Sequence, residues 1–283
     1  PVRQQLLGGE GHVGRTNRTA ELDIADRLRP QDGKAHIRVQ DLAYDLRVST
    51  IPAGRSDEKC VIRILDSNAQ ETLDDLSLAT YELERLRQVL QLREGIVLVT
   101  GPTGSGKTTT LYGALHELAD GKVNIMTVED PVEYELAQIT QTQVEVKQGV
   151  TFGTALRAIL RQDPDVILVS EIRDKETAET ATHAAMTGHL VLATVHANDA
   201  VSAVARMADM GLPYSTIAAT LRGAIAQRLL RRICSACAEP VRGELTPDEQ
   251  RLTEQHEAEP VVRAVGCLEC GLTGYKGRIP VNE

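Results

Sequence analysis

The stretch from Val97 to Leu115, VLVTGPTGSGKTTTLYGAL, restricts the possible folds of this chain more than any other segment. GIVLVT, from Gly95 to Thr100, is a continuous apolar run of the kind found in strands buried on both faces, and a glycine-rich turn then opens into a helix. Gly101 to Thr108 fit the spacing G-x-x-x-x-G-K-[ST]. Gly101, Gly104 and Gly106 let successive backbone N–H groups face a phosphate chain, Lys107 adds a cation beside the outer phosphates, and the Thr108 hydroxyl is placed to ligate Mg²⁺. Pro102, Thr103, Ser105 and Thr109 complete this nucleotide loop. A kinase, a switch, a helicase and a protein-moving motor all begin with such a loop, so the motif alone does not choose among them.

The flanking segments agree on an α/β fold. After Thr100 the pattern alternates: a helix from Lys107 to Ala119, strand VNIMTV, helix TFGTALRAILRQ, strand DVILVS, helix KETAETATHAAM, strand HLVLATV and helix DAVSAVARMADM. That rhythm predicts a largely parallel sheet with helices on both faces and ligands beyond the carboxyl ends of the strands. PYSTIAATLRGAIAQRLLRR reads as a further helix leading into the first cysteine pair, and Pro247 marks a helix start in the acidic stretch that follows. Before the loop, alternation in Asp45 to Ser49 and Lys59 to Leu65, with Pro-Gln-Asp-Gly and Pro-Ala-Gly turns between segments, predicts a small sheet. LATYELERLRQVLQLREG has the spacing of a helix closed by Gly95. The expected division is the C-terminal part of a small N-terminal domain over 1–75, a linker and leading helix over 76–94, and a nucleotide domain over 95–283 that includes the cysteine element at 234–270.

Hydrolysis needs a carboxylate near the metal. Glu171 follows the short apolar strand in DVILVSEIRD, and Glu129 with Asp130 follows the strand in MTVEDPVEY, so both acids stand where such chemistry belongs. His189 and His196 flank LVLATV without a role that the pattern itself defines. Cys234 and Cys237, in CSAC, and Cys267 and Cys270, in CLEC, offer four thiolates as two C-x-x-C turns; in a reducing compartment that pattern points to a structural Zn²⁺. Cys60, in the apolar run CVIRIL, reads as a small core residue.

A net charge of −9 and a pI near 5.4 argue against a chain that coats nucleic acid through bulk charge, and one Phe with no Trp leaves few platforms for base stacking. No apolar run is long enough to span a membrane and no signal segment opens the chain, so a cytoplasmic location is expected. Beginning at Pro1 rather than Met, the sequence reads as a piece of a longer chain.

Four motifs in order, GPTGSGKTTT, TVEDPVEY, LRQDPDVILVSEIRD and TGHLVLATVHANDA, resemble the Walker A, Asp box, Walker B and His box of the secretion ATPases that drive type II secretion and type IV pilus assembly. LDIADRLRPQDG, DLRVSTIP, AQRLLRRIC and GYKGR are also similar to that family, and the resemblance runs from about Glu21 to Arg278. It implies a RecA-like P-loop ATPase domain beside a smaller α+β, PAS-like domain, with the four-cysteine zinc element inside the former. It further implies an ATP-hydrolysing homo-hexamer, peripheral at the inner membrane, working with a membrane platform protein and a cytoplasmic recruiting protein and without direct nucleic-acid contact. By this resemblance Glu171 is the Walker B acid, Glu129 places the water, His196 belongs to the nucleotide site, and Arg47 and Arg63 reach the phosphates when the domains close. Arg157, Arg161 and Arg173 are candidates for contacts between domains or subunits.

The sequence departs from the family at two points. Ser170 stands where a glycine is usual, and GHVGRTNRTAEL is polar where an apolar helix face is usual, which implies an incomplete or loosely packed small domain. The cysteine pairs disfavour a pilus retraction motor, and EYELAQITQTQV with LRAILRQDPD leans toward the type II secretion branch. The alternative is an ATP-driven DNA uptake or transfer enzyme that uses the basic run Arg228, Arg231 and Arg232 as its nucleic-acid contact.

Overall fold

Two sheets of different character carry the chain. The computed structural model describes residues 3–6, 20, 22–23, 25–26, 28–39, 42–53, 57–65, 72–256 and 261–283. The first sheet is antiparallel: β1 (Arg3–Leu6), β2 (Gln31–Val39), β3 (Leu42–Ala53) and β4 (Asp57–Leu65) lie in the order β1-β4-β3-β2. Its small core gathers Ala20, Ala35, Val48 and Cys60, so Cys60 is the buried core residue its apolar run implied. The expected Pro-Gln-Asp-Gly turn is instead the start of β2. Gly33 is there for close approach, since a Cβ would lie 2.3 Å from the Ala20 carbonyl oxygen. Of the expected Pro-Ala-Gly turn, Pro52 and Ala53 are instead the end of β3 and residue 54 lies outside the described residues, as does most of the polar stretch 11–22.

A short 3₁₀ turn, Leu73–Leu76, and helix α1 (Thr80–Leu90) then lead to the larger sheet. Gly95 does not cap α1, which ends at Leu90; it opens the next strand. The elements that follow are β5 (Gly95–Thr100), α2 (Lys107–Leu118), β6 (Ile125–Glu129), β7 (Thr140–Gln143), α3 (Phe152–Ile159), β8 (Val166–Val169), α4 (Lys175–Met186), β9 (Leu190–Val195), α5 (Ala200–Asp209), α6 (Tyr214–Thr220), β10 (Leu221–Ile233), β11 (Ala238–Pro240), α7 (Pro247–His256), β12 (Val262–Ala264) and β13 (Tyr275–Asn282). The seven-stranded order is β13-β10-β5-β9-β8-β6-β7, parallel throughout except where β13 runs against β10. β11 and β12 form a separate two-stranded hairpin.

Period-two alternation splits each apolar run between two cores. Ile96, Leu98, Ile167, Val169, Val191 and Ala193 face α3 to α6, while Val97, Val99, Val166, Leu168, Leu190 and Leu192 face α1 and α2. Leu98, Leu192 and Ile167 have no exposed surface; burying each contributes about 1.5–3 kcal/mol relative to leaving it in water. Helices on both faces of a mainly parallel sheet are what the alternating sequence predicted.

The expected helix from Pro213 to Arg232 is only half formed. α6 stops at Thr220 and the chain continues as a strand through Ile233. Leu221, Ile225 and Leu229 recur every four residues, a spacing that satisfies a helix face and also falls on one face of a strand. Gly223 disfavours the helix, and the open edge of β5 supplies backbone partners from Leu221 to Ala226.

Candidate nucleotide site and metal centre

Because β5 is parallel to its neighbours and ends at Thr100, the loop from Gly101 to Gly106 emerges at the carboxyl edge of the sheet. Thr100 closes the loop's base: its hydroxyl donates to the carbonyls of Val195 and Ala197, both at 2.9 Å, and accepts from the Ala197 N–H at 2.8 Å. Pro102, Thr103, Gly104 and Thr108 are exposed at the mouth, and Lys107 and Thr109 are half-buried. The Lys107 ammonium turns back on the loop, donating to the carbonyls of Gly101 at 2.9 Å and Pro102 at 3.1 Å. Burial pushes its amine down, opposed by the nearby Glu171 carboxylate. Ser105 Oγ is buried without a hydrogen-bond partner. A lysine resting on carbonyls, an unpaired hydroxyl and an open mouth fit a phosphate chain; the residues present would hold ATP, with Thr108 as the Mg²⁺ ligand.

Glu171 lies just past β8 and is largely buried. Its two oxygens are engaged by His196 Nε2 at 2.9 Å and by an Arg173 guanidinium nitrogen at 2.5 Å. Arg173 also reaches Asp130 at 3.6 Å. Glu171, His196, Arg173 and Asp130 thus meet at one place, and Lys107 senses the same Glu171 carboxylate. Ser170 adds a link a glycine could not make: its hydroxyl accepts from the Asp130 N–H at 3.3 Å.

Glu129 is placed differently. It is 1% exposed, and its carboxylate accepts from Tyr112 Oη, from Thr127 Oγ1 at 2.6 Å and from Gln141 Nε2 at 3.1 Å. In this conformation it is sealed from water and ties α2 to β6 and β7. Burial, then the adjacent Glu129 charge, drives the Tyr112 phenol far above its ordinary range, so it stays a donor. Tyr112 Oη also accepts from the Glu133 N–H at 3.2 Å. Tyr112 and Gln141 were not singled out from sequence, because each reads as an ordinary amphipathic position.

Arg47 and Arg63 are directly opposed on β3 and β4 and therefore share one face of the small sheet. Arg47 is engaged by the loop after the Asp box, paired with Glu133 at 3.2 Å and donating to the Val132 carbonyl. Lys34, opposite Arg47 on β2, donates to Gln143 on β7 at 2.7 Å. Arg157 pairs with Glu176, and Arg161 donates to the Arg157 carbonyl at 2.8 Å. Of the basic run, Arg228 donates to the Asn198 carbonyl at 2.8 Å and Arg231 lies 4.0 Å above the Tyr275 ring.

The four cysteines converge. Their sulfurs lie within 4.8 Å of one another, with Cys234–Cys267 at 3.9 Å, Cys237–Cys270 at 3.8 Å and Cys267–Cys270 at 3.7 Å. A tetrahedral ion with metal–sulfur bonds of about 2.3 Å requires sulfurs about 3.8 Å apart, so the set can hold a metal. The Cys267 and Gly274 N–H groups point at Cys270 Sγ and hold its thiol down, to about 6. All four are free of disulfides. Among the described residues no helix is long and apolar enough to cross a membrane.

A family model described as Type II/IV secretion system protein matches residues 11–283. The Type II secretion system ATPase E of Vibrio cholerae is 46% identical over 274 residues, which cover 96% of this chain and 54% of that protein. The Type II secretion system protein HxcR of Pseudomonas aeruginosa is 49% identical over 272 residues, covering 96% and 54%. The chain spans about half the length of the curated relatives it matches. Among solved structures, the pilus retraction motor PilT with bound ADP matches with a TM-score of 0.60 at 33% identity, covering 81% of this chain and 64% of that one. The Legionella pneumophila ATPase DotB matches with a TM-score of 0.62 at 26% identity, covering 72% and 59%. A model matched over nearly the whole sequence, and relatives close to half identical across it, establish that this chain belongs to the type II/IV secretion system protein family.

Proposed function

We propose that this chain is the catalytic part of a ring-forming motor that hydrolyses ATP to drive assembly of a pseudopilus in type II secretion. The observation that carries this reading is the 46–49% identity to type II secretion proteins across a chain whose nucleotide loop and Walker B acid meet at one sheet edge. The small domain would end near residue 75 and the ATPase domain would occupy 95–283. The motor would work at the cytoplasmic face of the inner membrane through a platform protein and a recruiting protein.

The roles of the residues follow from their surroundings. The loop N–H groups and Lys107 hold the phosphates, the ammonium exchanging two carbonyls for phosphate oxygens. Mg²⁺, ligated by Thr108, would neutralise charge on the leaving phosphates. Glu171 orients the attacking water once Arg173 gives it up, with His196 fixing the other carboxylate oxygen. Glu129 serves first as an anchor for α2, because three donors surround it in the dark of the core. Arg47 and Arg63, sharing one sheet face, deliver positive charge when the small sheet moves over the loop. Zn²⁺ at the four cysteines would be structural, cross-linking the end of β10 to the turn before β13.

The test is ATP turnover against chain concentration. Turnover per chain is expected to rise as rings assemble, Lys107→Ala is expected to abolish it, and Glu171→Gln is expected to bind ATP without turning it over. Concentration-independent turnover by a monomer would overturn the motor reading.

A further inference from the structure

The register of β10 against β5 pairs Ala226 with Thr100, so the next residue, Gln227, lies beside Gly101 at the moment the chain leaves the strand to form the nucleotide loop. Gln227 is a polar side chain with 2% exposure, in a strand whose arginines, Arg222, Arg228, Arg231 and Arg232, all keep some exposure. Its amide is fully oriented: Nε2 donates to the Ser105 carbonyl at 2.7 Å, and Oε1 accepts from the Thr110 hydroxyl at 2.8 Å. One side chain therefore bridges the middle of the loop to the first turn of α2, on the side away from the open mouth.

The loop glycines record the same packing. A Cβ on Gly101 would lie 2.4 Å from the Gln227 carbonyl oxygen, and one on Gly106 would lie 2.8 Å from Gln227 Nε2. Both residues also hold a positive φ, 141° and 87°. The loop can approach β10 this closely only because these positions lack side chains.

We infer that Gln227 is a positioning residue for nucleotide binding: it is the floor of the phosphate loop, fixing the Ser105 peptide and α2 in the anion-accepting arrangement before nucleotide arrives. With the Ser105 carbonyl drawn to Gln227, the N–H of the same trans peptide, on Gly106, is turned the opposite way. Without the amide, the loop has to be ordered by the ligand itself, and affinity falls in proportion to the fraction of time the loop is already in place. This inference rests on the nucleotide-binding reading of the loop.

The test uses the whole metal-loaded chain and a fluorescent ADP analogue with Mg²⁺, read as Kd, alongside melting temperature and bound metal. Gln227→Leu removes both hydrogen bonds at similar volume, and Gln227→Glu keeps the acceptor for Thr110 while setting a carboxylate against the Ser105 carbonyl. Each is expected to weaken binding by at least about tenfold, the scale of leaving a buried partner unsatisfied. Thr110→Val, a milder change, is expected to weaken it about threefold or more and to add nothing on top of Gln227→Leu, since both act through one bridge. If Gln227→Leu does not fold, Thr110→Val and Gln227→Glu decide. Binding within twofold of the parent in the folded variants, or full additivity of the double substitution, overturns the inference. A parent chain that fails to bind the analogue overturns the nucleotide reading as well, so the two failures are distinct.

Discussion

At the scale of single residues, Tyr112 offers a direct measurement. Its hydroxyl is one of three donors to a carboxylate with 1% exposure, and its ring packs edge-on against Tyr134 with centroids 4.8 Å apart. Tyr112→Phe keeps the ring and removes the donor, leaving Glu129 buried and short of a partner. Stability to urea is expected to fall by about 1–3 kcal/mol, and Thr127→Val, which removes a second donor, is expected to do the same. Unchanged stability in both would mean that Glu129 is not held as a charged anchor. The same scale shows what sequence could and could not supply. Gly101 to Thr108 were legible because the phosphate loop is built from adjacent residues, each with its own chemical reason. Tyr112, Gln141 and Gln227 act through partners 17, 12 and 122 positions away, and nothing in their immediate neighbours distinguishes them from ordinary half-apolar positions.

Among the elements, β10 and the cysteine hairpin give the clearest contrast. β5, β6, β8 and β9 were readable as short, largely apolar runs bounded by turns, whereas β7, Thr-Gln-Thr-Gln, carries no such signal, and helices α1 to α5 were readable from apolar spacing and caps. β10 was not, since a repeat of four serves both periods and the deciding factor, the free edge of β5, lies 126 residues upstream in the chain's own register, Ala226 against Thr100. The metal hairpin poses the opposite problem, with its ligands plain in sequence and its body lacking a core. Val261, Val265, Leu268 and Leu272 are 77%, 55%, 92% and 72% exposed, so apolar burial does little to hold this part together. Cys234, at 1% exposure, and the Cys234 N–H bonded to the Gly274 carbonyl at 2.9 Å mark where the metal would join it to β10 and β13. Stripping metal with a chelator is therefore expected to open the segment between the two pairs to protease while the seven-stranded sheet keeps its protection. Cleavage that is the same before and after verified metal loss would show that the cysteines do not depend on an ion for their arrangement.

Across the whole molecule, the two sheets meet at the β7 edge and the loop after the Asp box, through Lys34 to Gln143 and Arg47 to Val132 and Glu133. That docking was invisible in sequence, where Arg47 and Arg63 look like exposed strand charge and only resemblance gave them a role. Their register now supplies a physical reason, since opposed positions on neighbouring strands carry both guanidinium groups on one face. In this arrangement Arg47 neutralises Glu133, so an arginine that also serves the phosphates must exchange one anionic partner for another. The exchange can be tested from both ends. Arg47→Ala is expected to lower ATP turnover by about a thousandfold or more, the order seen for arginines that stabilise phosphoryl transfer, with little change in nucleotide Kd. Glu133→Gln removes the competing charge and keeps the side-chain shape. If Arg47 shuttles, that variant retains turnover and populates the closed arrangement at lower nucleotide concentration, seen as a leftward shift of the ATP dependence. If Arg47 only cements the two sheets, Glu133→Gln and Arg47→Ala will instead loosen the same contact, lower stability together and leave the turnover of folded protein alike.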